Sequence, residues 1–230
     1  MTISNDLQDS LEARIARKLS PAFSQAQRII YDELSNADMD IVAVQGLPLE
    51  TWDSIASEMQ RVIRPELERA YMEAANEFSD TLMYGLDEKA LATAAQQWAA
   101  TYSYDLVTSI NETSRTRLNS VLTSFAEAPM TNRELQQELA SIFGVRRSQT
   151  IAITEVTRAA AEGQSFVARE LGLQGVRMIP IWETRRDERV CPTCGPRDNM
   201  VQGSNWIMLP PAHPNCRCGV RYNYVEGFNG

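Results

Sequence analysis

Two short segments near the C-terminus decide the fold: residues 191–195 read Cys-Pro-Thr-Cys-Gly, and residues 213–219 read His-Pro-Asn-Cys-Arg-Cys-Gly. Together they contain all four cysteines and the single histidine of the 230-residue chain. The charged start, residues 1–18, has no apolar run of the kind found in signal peptides. We therefore expect the thiols to meet a reducing cytosol, where clustered cysteines bind metal or perform redox chemistry.

The five candidate ligands are spaced to hold one tetrahedral ion. Two cysteines separated by two residues form a turn in which both sulfurs can face one metal, and the second segment supplies another pair. Five candidates compete for four positions, so either His213 or one cysteine of the Cys216–Cys218 pair stays off the metal. A closed site of this kind leaves no position for water and favours a structural zinc. The predicted ligands are four of Cys191, Cys194, His213, Cys216 and Cys218, with buried thiols or a redox pair as the alternative.

Most of the chain before residue 173 has helical periodicity. Apolar residues recur every four positions from the start, at Leu7, Leu11, Ile15 and Leu19. Ser20-Pro21 is typical of a cap followed by a first helical turn, so the sequence predicts a new helix there. Residues 35–48 have the composition of a connector. Pro65 predicts a kink or break in the following helix, and Gly85 predicts its end.

The later helices have sharper predicted ends. Thr131 and Glu134 have the spacing of a capping box, and Gly144 is predicted to close that helix in a left-handed conformation. The segment from Val145 to about Leu171 is rich in alanine, which favours close packing of helices. Stripes of leucine and aromatic residues at helical spacing are typical of a core and require no ligand.

After Gly175 the pattern changes to strand-like alternation. Residues 176–183 form a short β-like run, and residues 220–225 are predicted to pair with it. A segment of about 55 residues with several prolines and glycines is marginal for burying a core of its own, so zinc would stabilise it. We therefore predict an α+β protein with three parts: a helical region at residues 1–130, paired helices at 131–172, and a zinc-binding C-terminal module at 173–230.

Charge limits the classes of partner. The net charge of −8 argues against a protein whose whole surface coats nucleic acid. No window approaches the roughly 20 apolar residues of a membrane span. Residues 173–230 hold seven arginines against five acidic residues, so any contact with DNA belongs there. The aromatic interleaving of a single-strand-binding groove is missing, which favours contact with protein.

Five further residues are candidates for contacts of the C-terminal module. Glu155 is expected to pair with one of the module's arginines, Arg185, Arg189 or Arg217, and not to act as a catalytic base. Asp187 is expected to organise the turn before Cys191. Arg217 lies between two candidate ligands, where it suits a phosphate or a partner's carboxylate. The full set of predicted docking or partner residues is Glu155, Trp182, Asp187, Arg189 and Arg217.

These residues belong to a longer ordered pattern over about residues 145–222. It resembles the Mu F-like head morphogenesis proteins, the minor capsid proteins of tailed phages, whereas residues 1–130 share only their helical character with them. The residues that carry the resemblance are Arg147, Ile151-Ala152-Ile153-Thr154-Glu155, Gly163, Trp182-Glu183-Thr184, Asp187, Arg189-Val190-Cys191-Pro192-Thr193-Cys194, Pro211 and His213-Pro214-Asn215-Cys216-Arg217-Cys218.

The resemblance implies a minor structural protein of a tailed-phage or prophage head. Such a protein binds the portal and acts in head assembly and in DNA packaging or delivery. The implied partners are the portal protein, then the major capsid or scaffolding protein, and DNA through the C-terminal arginines, with no membrane. The implied location is the virion head, interior or portal-proximal, after assembly in the host cytoplasm.

Two alternatives come from other classes of protein. One is a zinc-module DNA-binding protein associated with packaged DNA, and the other, ranked last, is a metal-dependent hydrolase. The helices contain no catalytic constellation, and a single histidine is too few for the usual histidine-metal nuclease. The sequence therefore predicts that the chain is not an enzyme.

Overall fold

The computed structural model describes residues 3–36, 46–127, 130–204 and 206–225. Over these ranges it has the expected α+β architecture of long helices followed by a small antiparallel sheet. None of these helices combines the length and the apolar character needed to cross a bilayer. The elements are α1 (Asn5–Asn36), α2 (Leu49–Thr81), α3 (Glu88–Glu127), α4 (Asn132–Phe143), α5 (Val145–Leu173), β1 (Met178–Glu183), a 3₁₀ turn (Gly195–Arg197) and β2 (Gly219–Tyr224).

Prolines interrupt the helices less than the sequence predicts. Pro21 lies inside α1, so the prediction of a new helix at Ser20 was wrong. Pro65 lies inside α2 without a break. An internal proline costs about 3 kcal/mol, while burying one large apolar side chain contributes roughly 1.5–3 kcal/mol. Several such side chains flank each proline and are buried, so the apolar stripe outweighs the lost hydrogen bond.

The other predicted boundaries have mixed outcomes. Gly85 falls in the link between α2 and α3, because α2 has already ended at Thr81. The predicted connector at residues 35–48 lies mostly outside the described residues. The predicted strand pair is confirmed: β1 and β2 run antiparallel, with Met178 opposite Tyr224 and Glu183 opposite Gly219.

The chain divides into two compact units. The module-bearing unit comprises residues 1–13, 66–99 and 150–230, and the helical unit comprises residues 14–65 and 100–149. The segments predicted from sequence, 1–130, 131–172 and 173–230, follow the chain in order, whereas these units interleave along it.

In the helical unit the start of α4 has the predicted capping box. The Thr131 side chain accepts a hydrogen bond from the Glu134 backbone, and the Glu134 carboxylate accepts one from the Thr131 backbone at 2.7 Å. At the other end the prediction was wrong in its geometry, since Gly144 has φ −81° and ψ 168°, an extended conformation. Glycine is required there for space, because a Cβ would lie 2.2 Å from the Ala140 carbonyl oxygen.

Arg147, part of the pattern in the sequence, anchors the junction of α4 and α5 to α3. Its guanidinium donates to the Ile142 carbonyl at 2.9 Å, to the Ser114 hydroxyl at 2.8 Å and to the Ile110 carbonyl at 3.1 Å. Its charge also lies 5.8 Å from the centre of the Phe23 ring. Burial lowers the pKa of Arg147 to about 10, which still leaves it charged at neutral pH. The role of Arg147 in this unit is therefore structural.

In the module-bearing unit the C-terminal module shares one apolar core with the helices. This core is larger than the sequence predicts, because side chains of the C-terminal module pack in one cluster with side chains of α2, α3 and α5. Its members include Tyr71, Phe78, Leu91, Phe166, Val167, Trp182, Trp206, Val220, Tyr222 and the three buried cysteines. Zinc therefore does not have to replace a missing core.

Helices α2 and α5 approach each other closely at Gly163. A Cβ at this position would lie 2.3 Å from the Tyr71 carbonyl oxygen, so only glycine fits without a shift of the backbone. The neighbouring alanines on α5, Ala159, Ala160 and Ala161, are buried. The alanine-rich composition of this helix thus corresponds to close packing.

Candidate metal centre

The first ligand segment is a tight turn. The backbone N–H groups of Cys194 and Gly195 donate to the Cys191 carbonyl at 3.1 and 2.9 Å, which folds the chain back on itself. The Cys194 N–H also lies 3.3 Å from the Cys191 sulfur. The turn continues into the 3₁₀ turn at Gly195–Arg197. Both sulfurs therefore face the same side, as the spacing predicts.

The second ligand segment is held by threonines of α5. The Asn215 N–H donates to the Thr154 hydroxyl at 3.0 Å, and the Thr157 hydroxyl donates to the Cys216 carbonyl at 2.8 Å. Asn215 has φ +62°, a left-handed conformation that asparagine tolerates better than most residues. Thr154 and Thr157 are three residues apart and therefore share a helical face. This spacing could have identified Thr157 from the sequence, but Thr157 was not predicted.

The structure brings all five candidate ligands together, and we call them the ligand cluster. The His213 Nε2 atom lies 3.0 Å from the Cys191 sulfur and 3.3 Å from the Cys194 sulfur. The Cys194 and Cys216 sulfurs are 3.9 Å apart. A tetrahedral zinc with Zn–S bonds of about 2.3 Å holds its ligand atoms roughly 3.5–3.8 Å apart. These separations are close to that requirement.

Within the ligand cluster, Cys194 occupies the centre. It belongs to two groups of three whose ligand atoms all lie within 4.8 Å of one another: one with Cys191 and His213, the other with Cys216 and Cys218. None of the four cysteines forms a disulfide in this structure. The cluster could hold a metal ion.

The tautomer of His213 suits ligation through Nε2. The Nδ1 atom lies 2.8 Å from the Pro214 carbonyl, which can only accept, so Nδ1 must carry the proton. This hydrogen bond raises the pKa of His213. A hydrogen bond from the distal ring nitrogen to a carbonyl is the usual support of a metal-bound histidine.

The environment favours one thiolate from each segment. A hydrogen bond from the Cys218 thiol lowers the pKa of Cys216 to about 5 against the effect of burial. Burial disfavours the Cys191 thiolate, but hydrogen bonds from the Cys194 and Thr193 backbone lower the pKa of Cys191 to about 7. Burial raises the pKa of Cys194 to about 12. A nearby cation would be needed to ionise Cys194.

Arg217 joins the ligand cluster to the start of α1. Its guanidinium donates to both Glu12 carboxylate oxygens, at 3.2 and 2.6 Å, and to Asp9 at 2.6 Å. Arg185 donates to the same Asp9 oxygen at 2.8 Å. Arg217 therefore binds carboxylates of its own chain, where the sequence suggested a phosphate or a partner. Asp9 and Glu12 were missed, and no local pattern marks them.

The remaining predicted residues lie around the ligand cluster in different roles. Glu155 is buried, with 4% of its surface exposed, and its carboxylate lies 3.5 Å from the Arg158 Nε atom on the same helix. Asp187 accepts the Arg189 backbone N–H at 3.0 Å and so shapes the turn before Cys191. The Arg189 side chain is exposed beside the cluster.

Trp182, the last of the predicted set, is buried in the core. Its ring packs edge-on against Trp206 at 5.3 Å and lies under the Arg197 guanidinium at 5.2 Å. Asp198 fixes the end of β1 by accepting both the Thr184 backbone N–H and its hydroxyl. Sequence reasoning identified neither Trp206 nor Asp198.

A family model described as Phage Mu protein F like protein matches residues 72–221 of this chain. The chain belongs to that family. The Mu F-like region begins well upstream of the 145–222 segment that carries the resemblance in the sequence, and it includes α3, α4 and the end of α2. No curated protein and no solved structure matches the chain significantly. Membership in the Mu F-like family makes this a protein of phage head morphogenesis.

Proposed function

We propose that this protein is a minor structural component of a phage head that binds the portal and acts in head assembly and in DNA packaging or delivery. Membership in the Mu F-like family carries the proposal. The site supports a structural role, because its ligand cluster is embedded in the apolar core and its charged neighbours are held by the chain's own carboxylates.

Zinc is the ion we infer for the ligand cluster. Thiolates with one imidazole at near-tetrahedral separations suit zinc better than a hard cation such as magnesium. The ion would join the 191–194 turn to the 213–218 segment. Four protein ligands would fill its coordination sphere, which disfavours the hydrolase alternative.

The DNA-binding alternative is weakened by how the C-terminal arginines are used. Four of the seven arginines in residues 173–230 already pair with carboxylates of the chain, which leaves fewer for phosphates. These four are Arg185, Arg186, Arg217 and Arg221, paired with Asp9, Glu12, Glu183 and Asp198. Contact with protein is the better-supported reading.

Co-expression with the cognate portal protein tests the proposal. We expect a complex that survives nuclease treatment, because the proposed contact is between proteins. An association through DNA would disappear with nuclease and weaken steeply as salt rises. Pull-downs at low and high salt, each with and without nuclease, separate the two. Failure to bind portal in every condition, together with degradation of DNA when zinc is added, would show that the proposed class is wrong.

A further inference from the structure

The loop between Met200 and Leu209, of which residues 200–204 and 206–209 are described, is held by contacts among those residues. Trp206 is buried, and its indole N–H donates to the Met200 carbonyl at 2.8 Å. The Gly203 N–H donates to the Trp206 carbonyl at 2.8 Å, and the Gln202 side chain donates to the Ile207 carbonyl. Backbone pairing of residues 199–202 with β1 fixes the start of the loop. These contacts place Ile207 and Met208 directly after the buried Trp206.

This loop exposes two adjacent large apolar side chains. Ile207 is 80% exposed and Met208 is 78% exposed, directly after the buried Trp206. Met200 and Val201 on the same loop are each about two-fifths exposed, at 42% and 40%. Single exposed apolar residues are ordinary on protein surfaces, whereas contiguous exposed apolar side chains are typical of an interaction site.

Ile207 and Met208 line a groove together with Arg158 and Arg197, and no acidic residue among the described residues lines it. Arg158 already pairs with Glu155, so Arg197 is the charge that this groove offers. The Arg197 guanidinium is positioned over the Trp182 ring, and no carboxylate of the described residues forms an ion pair with it. The groove thus combines an apolar wall with a positioned guanidinium that can donate two hydrogen bonds to one carboxylate.

We propose that this groove, which we call the Ile207 groove, docks an acidic amphipathic segment of a partner protein. Its apolar side chains would cover Ile207 and Met208 while one carboxylate binds Arg197. The Arg197 guanidinium selects an acidic occupant. The proposal rests on the proposed function, because it takes the partner to be the portal protein and adds the surface through which the portal would be bound.

Three variants of the full-length protein test the groove against the cognate portal protein. We expect Ile207→Ser combined with Met208→Ser, and separately Arg197→Glu, each to weaken binding at least tenfold at about 0.1 M salt. Leu173→Ser is the matched control, since Leu173 is 82% exposed at the end of α5 and does not line the groove. Its affinity should equal that of the wild type. Zinc content and the denaturant midpoint, unchanged in all variants, verify that the protein and its ligand cluster remain folded.

The outcomes separate the two proposals. Wild-type protein that binds portal while the groove variants bind equally well would overturn the groove and leave the proposed function standing. Wild-type protein that fails to bind portal would overturn the portal role and the groove with it. A loss of self-association or of binding to anionic phospholipid vesicles, with portal binding intact, would overturn the choice of an acidic partner segment.

Discussion

At the scale of single residues, Cys194 decides whether the ligand cluster can bind a metal, because it belongs to both groups of neighbouring ligands. We expect the purified protein to contain about one zinc per chain and Cys194→Ser to contain well under half of that, since both groups of three neighbouring ligand atoms among the described residues include Cys194. Elemental analysis measures this. Thr193→Ser, in the same turn but without a ligand atom at the cluster, is the control. Full zinc in Cys194→Ser, or little zinc in a wild type with four titratable thiols, contradicts the prediction.

Which of the five candidate ligands stays off the metal can also be tested. The His213 Nε2 atom lies within 3.3 Å of the Cys191 and Cys194 sulfurs, whereas the Cys218 sulfur is grouped with Cys194 and Cys216. We therefore expect the Cys218→Ser variant to retain zinc in competition with a chromogenic chelator. The His213→Ala variant should release zinc at a chelator concentration at least tenfold lower. The reverse order would place Cys218 on the metal.

Residue identities were predictable where the signal is local. Cysteine spacing identified the whole ligand cluster, and the Thr131–Glu134 spacing identified a capping box. Arg217 is the counterexample, because its partners Asp9 and Glu12 lie about 205 positions away in sequence and nothing near Arg217 indicates them. Long-range pairing of this kind is set by how elements pack, which one sequence does not specify.

At the scale of elements, the ion pairs of Arg217 attach the first turns of α1 to the C-terminal module. We expect Glu12→Gln to destabilise the protein by about 2 kcal/mol, because a hydrogen bond to a charged group contributes roughly 1.5–3 kcal/mol, and to increase hydrogen exchange in residues 3–13. Arg217 and Glu12 are both shielded from solvent, since their side chains are 17% and 9% exposed, respectively.

The control for that pair is Glu58→Gln. It removes an ion pair with Arg61 that is equally short, 2.6 Å, but solvent-exposed on one helix face. Such pairs are screened by water, so little change is expected in the denaturant midpoint. Equal effects of the two substitutions would mean that Arg217 does not fasten α1.

The contact between α2 and α5 gives a second prediction at this scale. Glycine-to-alanine changes in a helix normally stabilise by about 0.4–1 kcal/mol, and Gly172→Ala should do so because nothing lies within 4 Å of the added Cβ. Gly163→Ala should instead destabilise by about 2 kcal/mol, since overpacking costs roughly 1–3 kcal/mol and the clash is with the Tyr71 backbone. Chemical denaturation of both variants decides the matter. A stabilised Gly163→Ala would show that the helices can separate at no cost.

At the scale of the whole molecule, the fold class followed from the sequence, but the division into units did not. Helical periodicity and β alternation are local, so they predicted the order of elements. Contacts between distant segments decide which parts of α1, α2 and α3 belong to each unit. The helical periodicity is the same on both sides of Pro65, so it does not mark the boundary between the units. The interleaving of residues 14–65 and 100–149 with the other unit is therefore invisible in the pattern.

The shared core yields a prediction for metal removal that the order of segments along the chain would not suggest. Three ligand cysteines pack in one core with Tyr71, Leu91 and Phe166. Loss of the metal should therefore increase hydrogen exchange in residues 66–99 and 150–172 as well as in residues 173–225. The helical unit contains none of the five ligands and should keep its protection. Hydrogen exchange by mass spectrometry, before and after chelation, measures both. Loosening confined to residues 173–225 would mean that the C-terminal module unfolds alone and that the helices do not depend on it; uniform loosening would mean that the two units unfold together.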